Sequence, residues 1–234
     1  MPRRRVIAGI AAAALAAPAG VHAGPGKPVR FRVRIENVST AGAGPGAPAL
    51  LSPGVWAIHN ELEPLFTPGR REPGRGLESL AEDGEPKALL RSLRTQDGVL
   101  STGIFEVPEV GSAPGPIGPG GAYEFDVTAR PGTRLSFATA FLQANDLFLA
   151  PGETGIPLFD GEGRPIHGDV TGRVHLWDAG TEAHQEPGTG PAQGARQRRR
   201  NTGADEGGVV CLAGDGFRYP AVPAMVKVTV TARR

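Results

Sequence analysis

The sequence predicts an all-β fold, an antiparallel β-sandwich with two or three short peripheral helices. Three observations carry this. Val29-Arg30-Phe31-Arg32-Val33-Arg34-Ile35 alternates strictly, so Val29, Phe31, Val33 and Ile35 share one face and three arginines the other, the pattern of a strand buried on one side. Met225-Val226-Lys227-Val228-Thr229-Val230-Thr231 alternates in the same way at the far end, which places both terminal strands in one sandwich and allows them to pair. Between them, Gly and Pro clusters punctuate short apolar runs, as turns do between strands.

The elements follow in order. Arg3-Arg4-Arg5, the apolar run Val6 to Ala17 and the small residues of Val21-His22-Ala23 read as a secretory signal peptide over residues 1–23, cleaved after Ala23. The run is short for a bilayer span and is broken by Pro18, so no stable membrane span is expected after cleavage. Residues 24–234 form a single domain. Ala41 to Pro48 is a Gly/Pro linker. Val55 to Phe66 reads as a short amphipathic helix. A second helix runs from Gly76 or Leu77 to Leu93 in two pieces, because Gly84 and Pro86 interrupt it. Gly118-Pro119-Gly120-Gly121 is a turn leading into a strand at Tyr123 to Thr128. Arg134 to Gln143 and Arg173 to Trp177 are further strands, with turns at Pro131-Gly132, Pro151-Gly152 and Gly161 to Gly163. Glu186 to Gly208 is polar, Gly-rich and almost without apolar residues, and reads as a mobile loop over about 186–208.

Composition narrows the function. The 234 residues suffice for one domain with a sizeable core, and Gly and Pro make up roughly a quarter of them, short of a disordered composition given the periodicity. Net charge is +1, so no global field marks a nucleic-acid binder. Arg196-Gln197-Arg198-Arg199-Arg200 is a local basic run. It reads either as a solvated loop offset by Asp205 and Glu206 or as an anion-binding finger for an acidic polysaccharide or the membrane surface. No aromatic residue interleaves with it, which argues against a base-stacking surface. Cys211 is the sole cysteine, so an intramolecular disulfide and a cysteine zinc cluster are excluded, and it is expected to be a buried, small apolar residue.

Two segments carry the candidate site. Asn145-Asp146-Leu147-Phe148 and Trp177-Asp178-Ala179-Gly180-Thr181-Glu182 each place a carboxylate at the end of a strand-like run, where a turn begins. Such ends gather at one rim of a sandwich, so Asp146 and Asp178 can converge on a hard cation such as calcium.

These two segments, the run Gly76-Leu77-Glu78-Ser79-Leu80-Ala81-Glu82-Asp83-Gly84-Glu85 and Leu135-Ser136-Phe137 together resemble a spondin domain, the N-terminal-type domain of F-spondin and mindin, and the bacterial exported proteins built from it alone. The resemblance spans roughly residues 30 to 190. It implies a C2-like β-sandwich decorated by helices, a bound Ca2+ ion and a role in extracellular adhesion. It also implies three metal carboxylates, of which Asp146 and Asp178 match two. The third is a glutamate on the strand before Leu135-Ser136-Phe137. One extra residue in the Pro131-Gly132 turn brings Asp126 to that position, whereas an ungapped match brings Val127. Glu124, on the same face, is the fallback. Calcium takes about 6–8 oxygens, for which Asn145 and Glu182 are local candidates.

Catalytic signals are thin. His59, His167 and His175 lack zinc-ligand spacing, and there is no Gly-x-Ser-x-Gly elbow. The expected function is a non-enzymatic, secreted or periplasmic calcium-binding module that meets an extracellular or envelope protein or glycan. The alternative is an extracytoplasmic metal-dependent hydrolase using one of those histidines with the rim carboxylates.

Overall fold

The computed structural model describes residues 26–40, 48–60, 64–214 and 216–233. The signal peptide at 1–23 and nearly all of the 41–48 linker lie outside the described residues. The strands are β1 (Val29–Asn37), β2 (Leu51–His59), β3 (Val99–Phe105), β4 (Ala122–Ala129), β5 (Arg134–Phe141), β6 (Leu147–Pro151), β7 (Ile156–Pro157), β8 (Gly168–Asp169), β9 (Val174–Asp178), β10 (Cys211–Leu212) and β11 (Val226–Arg233). Two antiparallel sheets result. One has the order β4-β1-β11-β8, and the other β10-β9-β6-β5-β2-β3 with β7 beside β5. The terminal strands do pair, Val33 facing Val230 and Ile35 facing Val228.

Two apolar layers hold the sandwich. Phe31, Val33, Ile35, Val228 and Val230 meet Leu135, Phe137, Leu147 and Leu149 between the sheets. On the other side of the larger sheet, Val55, Ala57, Ala138, Phe148 and Trp177 pack against the helices α1 (Leu77–Asp83) and α2 (Lys87–Leu93) through Leu77, Leu80, Leu89 and Leu93. A four-residue α3 (Val222–Met225) leads into β11.

Two-sided burial explains one correction. Within the expected helix over Val55 to Phe66, Val55 to His59 belong instead to the strand β2, with an apolar core on each face, and residues 61–63 lie outside the described residues. A strand covered on both sides loses its alternation and cannot be told from a buried helix by periodicity. Pro53 sits where the β2–β5 register shifts between Leu51 and Gly54. Such a bulge tolerates a residue without an N–H. Ser52 fills the gap: its Oγ accepts from Ala140 N at 2.9 Å and its carbonyl accepts from Thr139 Oγ1 at 2.7 Å. Strands β3 and β6 were likewise not read from the sequence.

The two-piece helix is observed as expected. Gly84 closes α1 in the left-handed region, with φ 66° and its N–H on Leu80 O at 2.9 Å, while Glu85 N reaches Ser79 O at 3.0 Å. The Gly84 N–H on the Leu80 carbonyl, four residues back, is an αL stop, and α2 begins just after Pro86. Gly84→Ala is expected to cost about 1–2 kcal/mol for the left-handed conformation, more because its Cβ would lie 2.7 Å from Ser52 Cβ. Denaturant unfolding measures this, and an unchanged midpoint would refute the account.

Cys211 is a second correction. It is exposed on the short edge strand β10 rather than buried. The segment expected to be a mobile loop at 186–208 lies along α1, with Ala192 and Gln193 buried. Gln197 Nε2 donates to Asp83 Oδ1 at 2.8 Å and Arg200 pairs with Glu85 at 2.8 Å.

Candidate metal centre

Strand register creates the centre. Leu147, the first residue of β6, faces Asp178, the last of β9. Asp146, one residue before β6, therefore lies at the same end of the adjacent strand. Each aspartate commits one oxygen to the backbone. Asp178 Oδ1 accepts from Gly180 N at 2.6 Å, and Asp146 Oδ2 accepts from Thr181 N at 2.8 Å and Glu182 N at 3.1 Å. The turn requires Gly180, whose φ is 67° and whose Cβ would sit 2.5 Å from Val209 N.

The second oxygens face a common point. Asp178 Oδ2 accepts from His184 Nε2 at 2.9 Å, and Asp146 Oδ1 lies 3.8 Å from His184 Nδ1. Ligand atoms of Asp146, Asp178 and His184 all lie within 4.8 Å of one another. Asp146 is fully buried, and its Oδ1 has no hydrogen-bond partner. A buried carboxylate oxygen left unpaired is costly, so the arrangement suits a cation that would be shared by the two carboxylates. Their oxygen donors suit a hard divalent ion, and the imidazole adds a nitrogen.

Further acids surround this point. Glu182 is buried, with Oε1 unpartnered. It occupies the space a side chain at Gly203 would take, since a Cβ there would lie 1.3 Å from Oε1. Glu82 reaches in from α1 and is also buried. Burial, then the Asp178 charge, raises the Asp146 pKa to about 6. Burial is also the main cause that lifts Glu82 to about 7 and Glu182 to about 7. Asn145 is fully buried, but its Oδ1 accepts from Gln185 N at 2.9 Å, so it clamps the turn.

The remaining expected ligands lie elsewhere. Asp126 and Glu124 project from β4 on the outer face of the smaller sheet, away from its apolar face at Tyr123 and Val127. Cross-strand pairing with β1 engages them: Asp126 binds Arg30 and Arg32, each at 2.6 Å, and Glu124 binds Arg32 at 2.6 Å. The Arg32 guanidinium beside Asp126 holds its pKa below the ordinary value. Neither joins the cluster.

Nor do the histidines read from the sequence join it. His59 is buried in β2 with Nε2 2.9 Å from Ser136 Oγ, and His167 and His175 are exposed. His184 was missed because it is neither in a histidine pair nor beside a strand. Its only signal is its place six residues after Asp178, on the same turn.

The chain matches no protein-family model and no curated protein.

Proposed function

We propose that this chain is an exported calcium-binding β-sandwich module that mediates an extracellular or envelope interaction without catalysis. The observation that carries the reading is the pair of aspartates at adjacent strand ends, with Asp146 Oδ1 buried and unpartnered. Asp146 and Asp178 would hold the ion, with Glu182 as a further ligand and backbone or water oxygens completing the shell. When bound, calcium supplies charge neutralisation at a buried acidic centre. The chain's own residues fix the turn: Thr181 and Glu182 N–H groups orient Asp146, and Gly180 orients Asp178. The partner would be an extracellular or envelope protein or glycan. No helix among the described residues is long and apolar enough to cross a membrane.

His184 favours a second reading. A nitrogen beside two carboxylates is a donor set for a transition ion such as zinc, which could serve a metal-dependent hydrolase. Thermal unfolding with calcium, zinc or chelator, on wild type and His184→Ala, separates the two. Calcium is expected to raise Tm in both proteins. A response confined to zinc and lost in His184→Ala would replace the calcium module with the hydrolase reading.

A further inference from the structure

We propose that the cleft between the turn at 185–192 and the segment at 196–204 binds an acidic polysaccharide, and that the cation braces this cleft from behind without touching the ligand. This rests on the cation-binding module proposed above. The cleft has a volume of about 620 Å3, inside the range of about 300–1,000 Å3 common for small-molecule sites. Gln185, Thr189, Ala192, Arg196, Arg198 and Thr202 line it, and no acidic residue does.

The lining matches a sugar acid. Arg198 is exposed and makes no hydrogen bond or ion pair among the described residues, so its fork of donors is available for a carboxylate or sulfate. Arg196 is held in place by donating to the Gly188 carbonyl. The Thr189 and Thr202 hydroxyls donate to Glu186 O and Gln197 Oε1 and keep lone pairs for sugar hydroxyls, and Gln185, whose Oε1 accepts from Ala192 N, offers its Nε2 as a donor. Two alternatives fit less well. A bilayer would require large apolar side chains to insert, and the apolar lining among the described residues is small: Pro191, Ala192 and Ala204. Single-stranded nucleic acid would require aromatic platforms, and none lines the cleft.

The walls are built rather than loose. Gly188 N donates to Gln143 O at 2.8 Å, Ala195 N to Leu142 O at 3.1 Å, and Ala192 N to Gln185 Oε1 at 3.0 Å. The rear wall is the metal turn itself. Gln185 follows His184, Gly203 lies against the Glu182 carboxylate, and Ala183 N donates to Ala204 O at 2.8 Å. Neutralising the buried acids therefore fixes the wall, whereas their mutual repulsion loosens it.

The test is binding of the exported protein to a heparin dodecasaccharide and an oligogalacturonate, with anionic phosphatidylglycerol vesicles and neutral dextran as comparisons. Wild type with calcium should bind at least one of the two acidic oligosaccharides and not dextran. Arg198→Gln should weaken that binding about tenfold or more, while Arg91→Gln on helix α2, which does not line the cleft, should not. Chelator should weaken it severalfold. Wild-type affinity in Arg198→Gln, or binding to vesicles but to neither oligosaccharide, would overturn the cleft. Affinity unaffected by chelator would overturn the bracing by the cation. If Arg198→Gln loses binding but calcium leaves Tm unchanged, the cation reading falls and the cleft stands. If calcium raises Tm but Arg198→Gln binds as wild type, the cation reading stands and the cleft falls.

Discussion

The metal-free protein should lose stability as pH rises from about 4.5 to about 7. Glu82 shows the sign. Its pKa is raised from an ordinary 4.5 to about 7 in the folded protein, so the native state holds the proton more tightly than the unfolded chain. The resulting stabilisation is complete below the unfolded value and is lost as pH passes through the folded one. At about 1.36 kcal/mol per pH unit, Glu82 alone contributes about 3 kcal/mol. Asp146 and Glu182 act in the same direction, but all three are coupled and their effects do not add. The surface acids with lowered pKa, Asp126, Asp160 and Asp169, work at lower pH, where their contribution is lost as pH falls. For a domain of this size, about 3 kcal/mol corresponds to roughly 6–12 °C in Tm. Melting in chelator from pH 4.5 to 8 should show the decline, and Glu82→Gln should flatten it. A flat profile for the wild type would mean that these carboxyls ionise in the native state as they do in the unfolded chain.

Saturating calcium should recover the lost stability at neutral pH. An ion that binds only the folded state at about 100 times its Kd adds about 2.7 kcal/mol, roughly 5–11 °C here. The increment should shrink toward pH 5, because protons then compete for Asp146 and Glu182. Asp178→Asn should abolish the response. Asp146→Asn provides a sharper sign. It removes a buried charge while keeping an oxygen for the Thr181 and Glu182 N–H groups. Metal-free Asp146→Asn should therefore melt at or above metal-free wild type at pH 7.5, yet gain nothing from calcium. Calorimetry of both variants with calcium and chelator reads this directly. A wild-type calcium increment in Asp178→Asn would remove that residue from the site.

Local chemistry left clear marks in the sequence. Alternation revealed β1 and β11 because each has one face in the core and one in water, and Gly84 with Pro86 marked the helix break because backbone conformation alone requires it. Asp146 and Asp178 were legible because strand ends and turns have short-range signatures. Tertiary structure decided the rest. Strand β2 lost its pattern to burial on both faces. Asp126 and Glu124 were assigned by β1, whose arginines face them across a pairing about 90 residues apart in sequence. Glu82 and His184 reached the centre through the packing of α1 and the path of the turn after β9. Periodicity records which side of an element is wet. The meeting of side chains from separate elements depends on register and layer packing, which the sequence of any one element does not contain.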